Sequence, residues 1–205
     1  MATHPFEVVY LTGAPAAGKS TVSRALQERV SPLVIFEYGE RLTQYLSHQD
    51  ESLTQDQIRS RSARVVRPED VQAVDRELLE FVAAERTRSH VLVDSHAVTK
   101  EGYGFRITAF HIDGIRRLAP TRICMLYTPP EVAMRRIEEN AAGRPTITAW
   151  EAQFHTDLQA SVAATYAVGL GVPMYLIDSS APLDTVVAHL ARHFDQPVAP
   201  AAGGA

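Results

Sequence analysis

FEVVYLTGAPAAGKST, residues 6–21, is the stretch from which the rest of the chain is read. Residues 6–12 form a β-branched and aromatic run, the composition of a buried strand, and the run stops at Gly13. From Ser20 onward the spacing becomes helical, with Val22, Ala25, Leu26 and Val30 on one side. Between them Gly13-Ala14-Pro15-Ala16-Ala17-Gly18-Lys19-Ser20 fits the pattern Gly-x-x-x-x-Gly-Lys-Ser/Thr without exception. A strand before the pattern and a helix after it are the setting in which such a loop holds phosphate. Glycines let the backbone turn tightly, so several N–H groups converge on one anion. The new helix adds its unsatisfied first amides and the positive end of its dipole. Gly13, Ala14, Ala16, Ala17, Gly18, Lys19, Ser20 and Thr21 are therefore the expected nucleotide-binding set. Lys19 can reach the β- and γ-phosphates as a point charge, and the Ser20 hydroxyl can ligate Mg2+. The competing reading is a Gly/Ala-rich turn with a solvated lysine.

Working outward, short apolar runs alternate with helical periods. Strands are expected at residues 33–36, 90–93, 122–127 and 174–177, and helices at 40–47, 54–67, 69–86, 107–118, 129–139, 148–168 and 182–193. The break between the second and third of these helices falls at Pro68, because proline disfavours helical geometry in the residue before it. With the first strand this makes an α/β chain: a five-stranded parallel sheet covered by helices on both faces, in three layers. Residues 95–106, SHAVTKEGYGFR, read as a polar, glycine-containing loop.

Asp94 ends the His90-Val91-Leu92-Val93 run. In an open parallel sheet the C-terminal strand ends face the ligand crevice, so Asp94 joins Ser20 as a candidate magnesium ligand. A helix cap is the alternative for a strand-end acid. His96, Lys100, Tyr103 and Arg106 follow and offer an acceptor wall of cations, an imidazole and an aromatic face. A phosphate acceptor needs no base, whereas a hydroxyl acceptor could use Asp94 or His96. Arg135, Arg136 and Arg144 surround residues 140–145, NAAGRP, and an arginine closing there would meet charge developing on a transferring phosphoryl group. Arg136 and Arg144 are the stronger catalytic candidates; solvated arginines at a helix end are the alternative. Arg59, Arg61, Arg64 and Arg67 make a basic face that suits either an acceptor phosphate or solvent.

Taken together, FEVVYLTGAPAAGKST, FEYGERL, VLVDSHAVTKEGYGF and MRRIEENAAGRP, followed by a long helix, resemble the archaeal-type adenylate kinases among the P-loop nucleoside monophosphate kinases, over residues 6–194. The resemblance implies a P-loop kinase fold, ATP as donor, Mg2+ as cofactor and an AMP-like acceptor. It also implies an acceptor region over about residues 38–88 and a short lid over about residues 137–147. By position it brings Gly39 and Arg59 to the acceptor region, Asp94-Ser95-His96 to the family's Asp-Thr/Ser-His element, Arg135 and Arg136 to the pair before the lid, and Arg144 to the second lid arginine. Departures lie where the family has cations or acids: Ala142 and Pro145 in the lid, and Asp157 in the long helix where an arginine is expected. A cation exchanged for Asp157 beside phosphates would weaken binding of a charged acceptor.

The bulk numbers restrict the remaining classes. With 20 basic and 24 acidic residues the formal net charge is −4, which gives no general reason to expect nucleic acid. The single cysteine, Cys124, excludes an intrachain disulfide and sits in an apolar run, as a core thiol would. No stretch is long and apolar enough to span a membrane, so a cytoplasmic protein with a small-molecule acceptor is expected. One domain is expected over residues 1–195, with a Pro/Ala/Gly tail over 196–205 that has too little to bury to become ordered. The leading functional reading is ATP- and Mg2+-dependent phosphoryl transfer to a nucleoside monophosphate. The alternatives are a kinase for another small acceptor (a nucleoside, sugar, cofactor precursor or antibiotic) and a non-kinase NTPase regulatory module.

Overall fold

The computed structural model describes residues 6–49, 66–140 and 147–195. Its main sheet has five parallel strands: β1 (Val8–Gly13), β2 (Leu33–Glu37), β3 (His90–Asp94), β6 (Arg122–Tyr127) and β7 (Met174–Asp178). Their order is β2-β3-β1-β6-β7, which puts β1 at the centre. Every residue of β1 is buried, as a strand covered on both faces requires.

Seven described helices flank the sheet: α1 (Lys19–Arg29), α2 (Tyr38–Gln49), α3 (Pro68–Glu85), α4 (Ile112–Leu118), α5 (Pro130–Glu139), α6 (Ala149–Leu170) and α7 (Leu183–Asp195). Side chains alternate across a strand, so neighbours along β1 enter different cores. Val9 and Leu11 pack with Val22 and Leu26 of α1 and with Leu190 and Phe194 of α7. Val8 and Tyr10 pack on the other face with Val74 and Leu78 of α3, Ile115 of α4 and Tyr166 of α6. These two cores make the three-layer α/β kinase fold expected from the sequence. Cys124 lies in the first core, and burial pushes its thiol up to about 12, so it is a packing residue.

Local chemistry explains the helix boundaries. Pro68 occupies the first turn of α3, where its missing N–H costs nothing, and Asp70 accepts a hydrogen bond from the Arg67 backbone N–H at 2.9 Å. The Thr148 hydroxyl accepts from the Glu151 N–H at 3.2 Å, while the Glu151 carboxylate accepts from the Thr148 N–H at 2.8 Å. This reciprocal cap starts α6, and Gly171, at φ 66°, ends it in the left-handed conformation.

Two sequence readings are corrected. Residues 95–106 are not one loop: β4 (Val98–Glu101) and β5 (Gly104–Ile107) pair antiparallel, with Gly102 and Tyr103 at the turn. The alternation that marks them is short, and the polar residues Thr99 and Lys100 conceal it. For the same reason the helix read from Ile107 begins only at Ile112, because Phe105 and Ile107 belong to the hairpin. The helix expected over 54–67, Arg59, most of the lid with Arg144, and the 196–205 tail lie outside the described residues.

Candidate active site

The C-terminal ends of β1, β2 and β3 open onto a cleft of about 920 Å³. On one side stands the loop between β1 and α1. A Cβ at Gly13 would come within 2.5 Å of the Leu126 carbonyl oxygen, so only glycine lets β1 lie this close to β6 where the loop begins. Gly18 takes φ 83° and Ala16 φ 64°, the second an uncommon conformation for a residue with a side chain. Lys19 Nζ donates to the Gly13 carbonyl at 3.0 Å, which folds the lysine back over the loop. Arg136 of α5 donates to the Ala16 carbonyl at 3.1 Å and to the Ser179 carbonyl at 2.8 Å, so its guanidinium spans the loop and the residue after β7. Ala16, Gly18, Lys19, Ser20, Thr21 and Arg136 all line the cleft. Gly13 lies behind it, while Ala14 and Ala17 line a separate small recess with Thr156.

Asp94 and Glu37 end adjacent strands and are register partners, and Asp94 is also the partner of Leu11 in β1. Three parallel strands thus deliver a phosphate loop and two carboxylates side by side, with about 4.8 Å between neighbours. Burial raises the Asp94 carboxyl above the ordinary carboxylate range, and the Lys19 ammonium opposes the shift. Burial also raises Glu37, followed by repulsion from Asp94 and Glu40, with Arg24 opposing. Both acids line the cleft. Ser20 and Asp94 offer a hydroxyl and a carboxylate oxygen, a donor pair that fits a hard ion whose other ligands are phosphate oxygens and water. Among the described residues, no group of three or more His, Cys, Asp or Glu is placed to hold a metal alone.

The far side of the cleft comes from α2, α3 and the β4–β5 hairpin. The Tyr38 hydroxyl donates to Asp75 Oδ1 at 2.7 Å, across α2 and α3. Burial, followed by the Asp75 charge, pushes the Tyr38 phenol well above its ordinary range. Asp75 is itself raised by burial, against the Tyr38 hydrogen bond. Gly39, His96, Lys100 and Arg106 line the cleft. Lys100 is held by Glu151 at 2.9 Å over the Phe105 ring, and Arg106 is held by Glu101 at 3.1 Å. The structure does not bring Tyr103 to the cleft: at the hairpin tip it is 73% exposed. Arg135 is exposed on α5 and also stays outside the cleft lining. Asp157 faces away as well, exposed on α6 and bonded by Gln153 at 2.8 Å, so its charge does not face the phosphate loop.

Gln159, fully buried in α6, ties the two sides together. Its carbonyl oxygen accepts from the Ala97 and Val98 N–H groups at 3.2 and 3.1 Å, and its Nε2 donates to the Thr12 hydroxyl at 2.9 Å. His155, one turn earlier, holds the Val98 carbonyl through Nε2 at 3.0 Å and meets Phe105 edge-on. Sequence reading passed over Glu37, the Tyr38–Asp75 pair and Gln159. The signal for Glu37 was present, since it ends β2 as Asp94 ends β3.

Residues 12–152 match a family described as AAA domain. The chain belongs to this AAA domain family. Within it the chain is a P-loop phosphotransferase. It is 26% identical to the adenylate kinase of Pyrococcus furiosus over 85% of this chain and 87% of that one. It is 29% identical to the adenylate kinase of Thermococcus sibiricus over the same shares. Among solved structures, a shikimate kinase from Bacteroides thetaiotaomicron superposes with TM-score 0.55 at 17% identity, over 91% of this chain and 97% of that one. An unliganded sugar kinase from Janibacter sp. HTCC2649 superposes with TM-score 0.54 at 14% identity, over 98% and 100%. Identities this low carry the fold alone for the solved structures. The AAA-domain chain is thus placed as a P-loop kinase, a coarser grouping than the archaeal adenylate kinases it resembles in sequence. Among its described residues no helix is long and apolar enough to cross a membrane.

Proposed function

We propose that this AAA-domain protein transfers the terminal phosphoryl group of ATP, with Mg2+, to a small acceptor held between α2, α3 and the β4–β5 hairpin. The observation that carries the reading is one continuous cleft with the phosphate loop on one wall and the Glu37, Tyr38 and Asp75 wall facing it. In this reading the loop from Gly13 to Thr21 holds the triphosphate, and Lys19 stays with the β- and γ-phosphates as charge moves to the leaving oxygen. Ser20 and Asp94 would hold the magnesium ion, which would supply positive charge against the phosphates. Arg136, already tethered at Ala16, steadies the loop from above and presents its cation to the transferring group. His96, exposed at the cleft, meets the acceptor together with Gly39.

A nucleoside monophosphate is the second reading of the acceptor, and the adenylate kinase relatives favour it. The test is ADP release by the purified protein with ATP and magnesium, against separate libraries of monophosphates and hydroxyl compounds. Release stimulated at least tenfold by one class, and abolished by chelating the divalent ion, is the expected outcome. Hydrolysis at one rate whatever is added contradicts it.

A further inference from the structure

Resting on that kinase reading, we propose that Glu37 is the specificity-determining residue of the cleft, selecting an uncharged hydroxyl-bearing acceptor and turning a phosphate anion away. Glu37 is the register partner of Asp94, and Asp94 in turn lies beside Leu11, two residues before the phosphate loop. Counting across the strand ends, Glu37 is the first side chain beyond Asp94 on the side away from the loop. An acceptor atom brought up to the donor phosphates passes this carboxylate.

Glu37 also sits among other acids. Asp75 and Glu40 line the same half of the cleft, and Tyr38 already gives its hydroxyl to Asp75. Lys100 and Arg106, the hairpin cations facing this half, are each paired with a glutamate, leaving Arg67 at the rim and Arg24 acting on Glu37 from α1 among the described residues. A carboxylate accepts hydrogen bonds from hydroxyls, and an amide or a hydroxyl both accepts and donates them, so Glu37, Gln72 and Thr43 suit a sugar-like or polyol-like surface. A dianionic phosphate in the same place would face Glu37 and Asp94 together and lose affinity through like-charge juxtaposition.

The experiment compares the wild-type chain with Glu37→Gln and Glu37→Asp. AMP binding is measured by calorimetry beside a non-hydrolysable ATP analogue, and phosphoryl transfer is measured to AMP, CMP, adenosine, D-glucose and other sugars and polyols. The expected result is that Glu37→Gln binds AMP about tenfold tighter or more. It should also use the preferred hydroxyl acceptor about 10- to 100-fold less well in kcat/KM, the range for a lost hydrogen bond to a charged group. Glu37→Asp keeps the charge and should keep the preference, which separates selection from a packing defect. Unchanged or weaker AMP binding in Glu37→Gln overturns the proposal. So does a wild-type preference for AMP that Glu37→Gln leaves alone; in that case the kinase reading stands and only the role of Glu37 falls. A wild-type protein that hydrolyses ATP but transfers to no acceptor overturns the kinase reading and the inference with it.

Discussion

The two walls of the cleft are built on different principles. The proposed donor wall is a single run of chain, residues 13–21, shaped by backbone: a glycine against the Leu126 carbonyl, a left-handed Gly18 and the first turn of α1. The opposite wall, the proposed acceptor side, has no such run. It is assembled from side chains on β2, α2, α3 and the β4–β5 hairpin, and it is held in place by Gln159 and Glu151 from α6. A backbone wall tolerates little change and serves one ligand class, whereas a side-chain wall can be re-specified residue by residue on the same fold. A shikimate kinase and a sugar kinase share this fold at 17% and 14% identity.

The largest expected effect tests whether the donor wall acts alone. Lys19→Ala should lower kcat by about 10²-fold or more with every acceptor, because one preorganised charge at a transition state is worth that much. The fold should survive, since Lys19 is only partly buried and fills no core. Steady-state kinetics with circular dichroism checks both halves of the statement, and a loss restricted to one acceptor class would break the comparison. A smaller effect tests the join between the walls. Gln159→Leu strands the Ala97 and Val98 amides and the Thr12 hydroxyl, at a cost of about 2 kcal/mol in chemical denaturation. The hairpin should loosen, so KM for the acceptor should rise about tenfold while KM for ATP moves by less than about twofold. Equal changes in both would mean that Gln159 supports the phosphate loop as much as the hairpin.

The smallest effect concerns the clamp on Lys100. Glu151 is pulled down to about 2, first by the Thr148 backbone N–H and next by Lys100, from an ordinary 4.5. A carboxyl depressed in the folded state adds stability that is complete above its unfolded value and lost as pH falls through the folded one. The clamp should therefore be intact above about pH 4.5 and fade toward about pH 2, and Glu151→Gln should flatten that part of a denaturation-versus-pH curve. Because the pair lies near the surface, the change is small and shrinks with added salt. An acid limb identical in the variant would remove Glu151 from the account.

What the sequence disclosed follows the same division. The loop after β1, the five apolar strand runs and the place of Asp94 at a strand end were legible because each signal is local: a fixed spacing, a period or a strand end. The acceptor wall depends on contacts distant in sequence. Tyr38 meets Asp75 across 37 residues, and Gln159 meets Thr12 across 147, and no spacing rule connects them. The hairpin was hidden because four-residue strands rich in Thr, Lys and Glu carry too little alternation to separate from a loop. Asp157 misled for a related reason: alignment to a family places a residue along a helix, but the helix face decides what it touches.

The most direct test of the central claim follows the phosphoryl group itself. Wild-type protein is incubated with magnesium and ATP labelled in its terminal phosphate, in the presence of the acceptor libraries, and the label is located by mass spectrometry and phosphorus NMR. The account predicts label in a phosphate ester or anhydride of one acceptor class, absent when Lys19 is replaced by alanine. Label recovered only as inorganic phosphate, at a rate no acceptor changes, would contradict it.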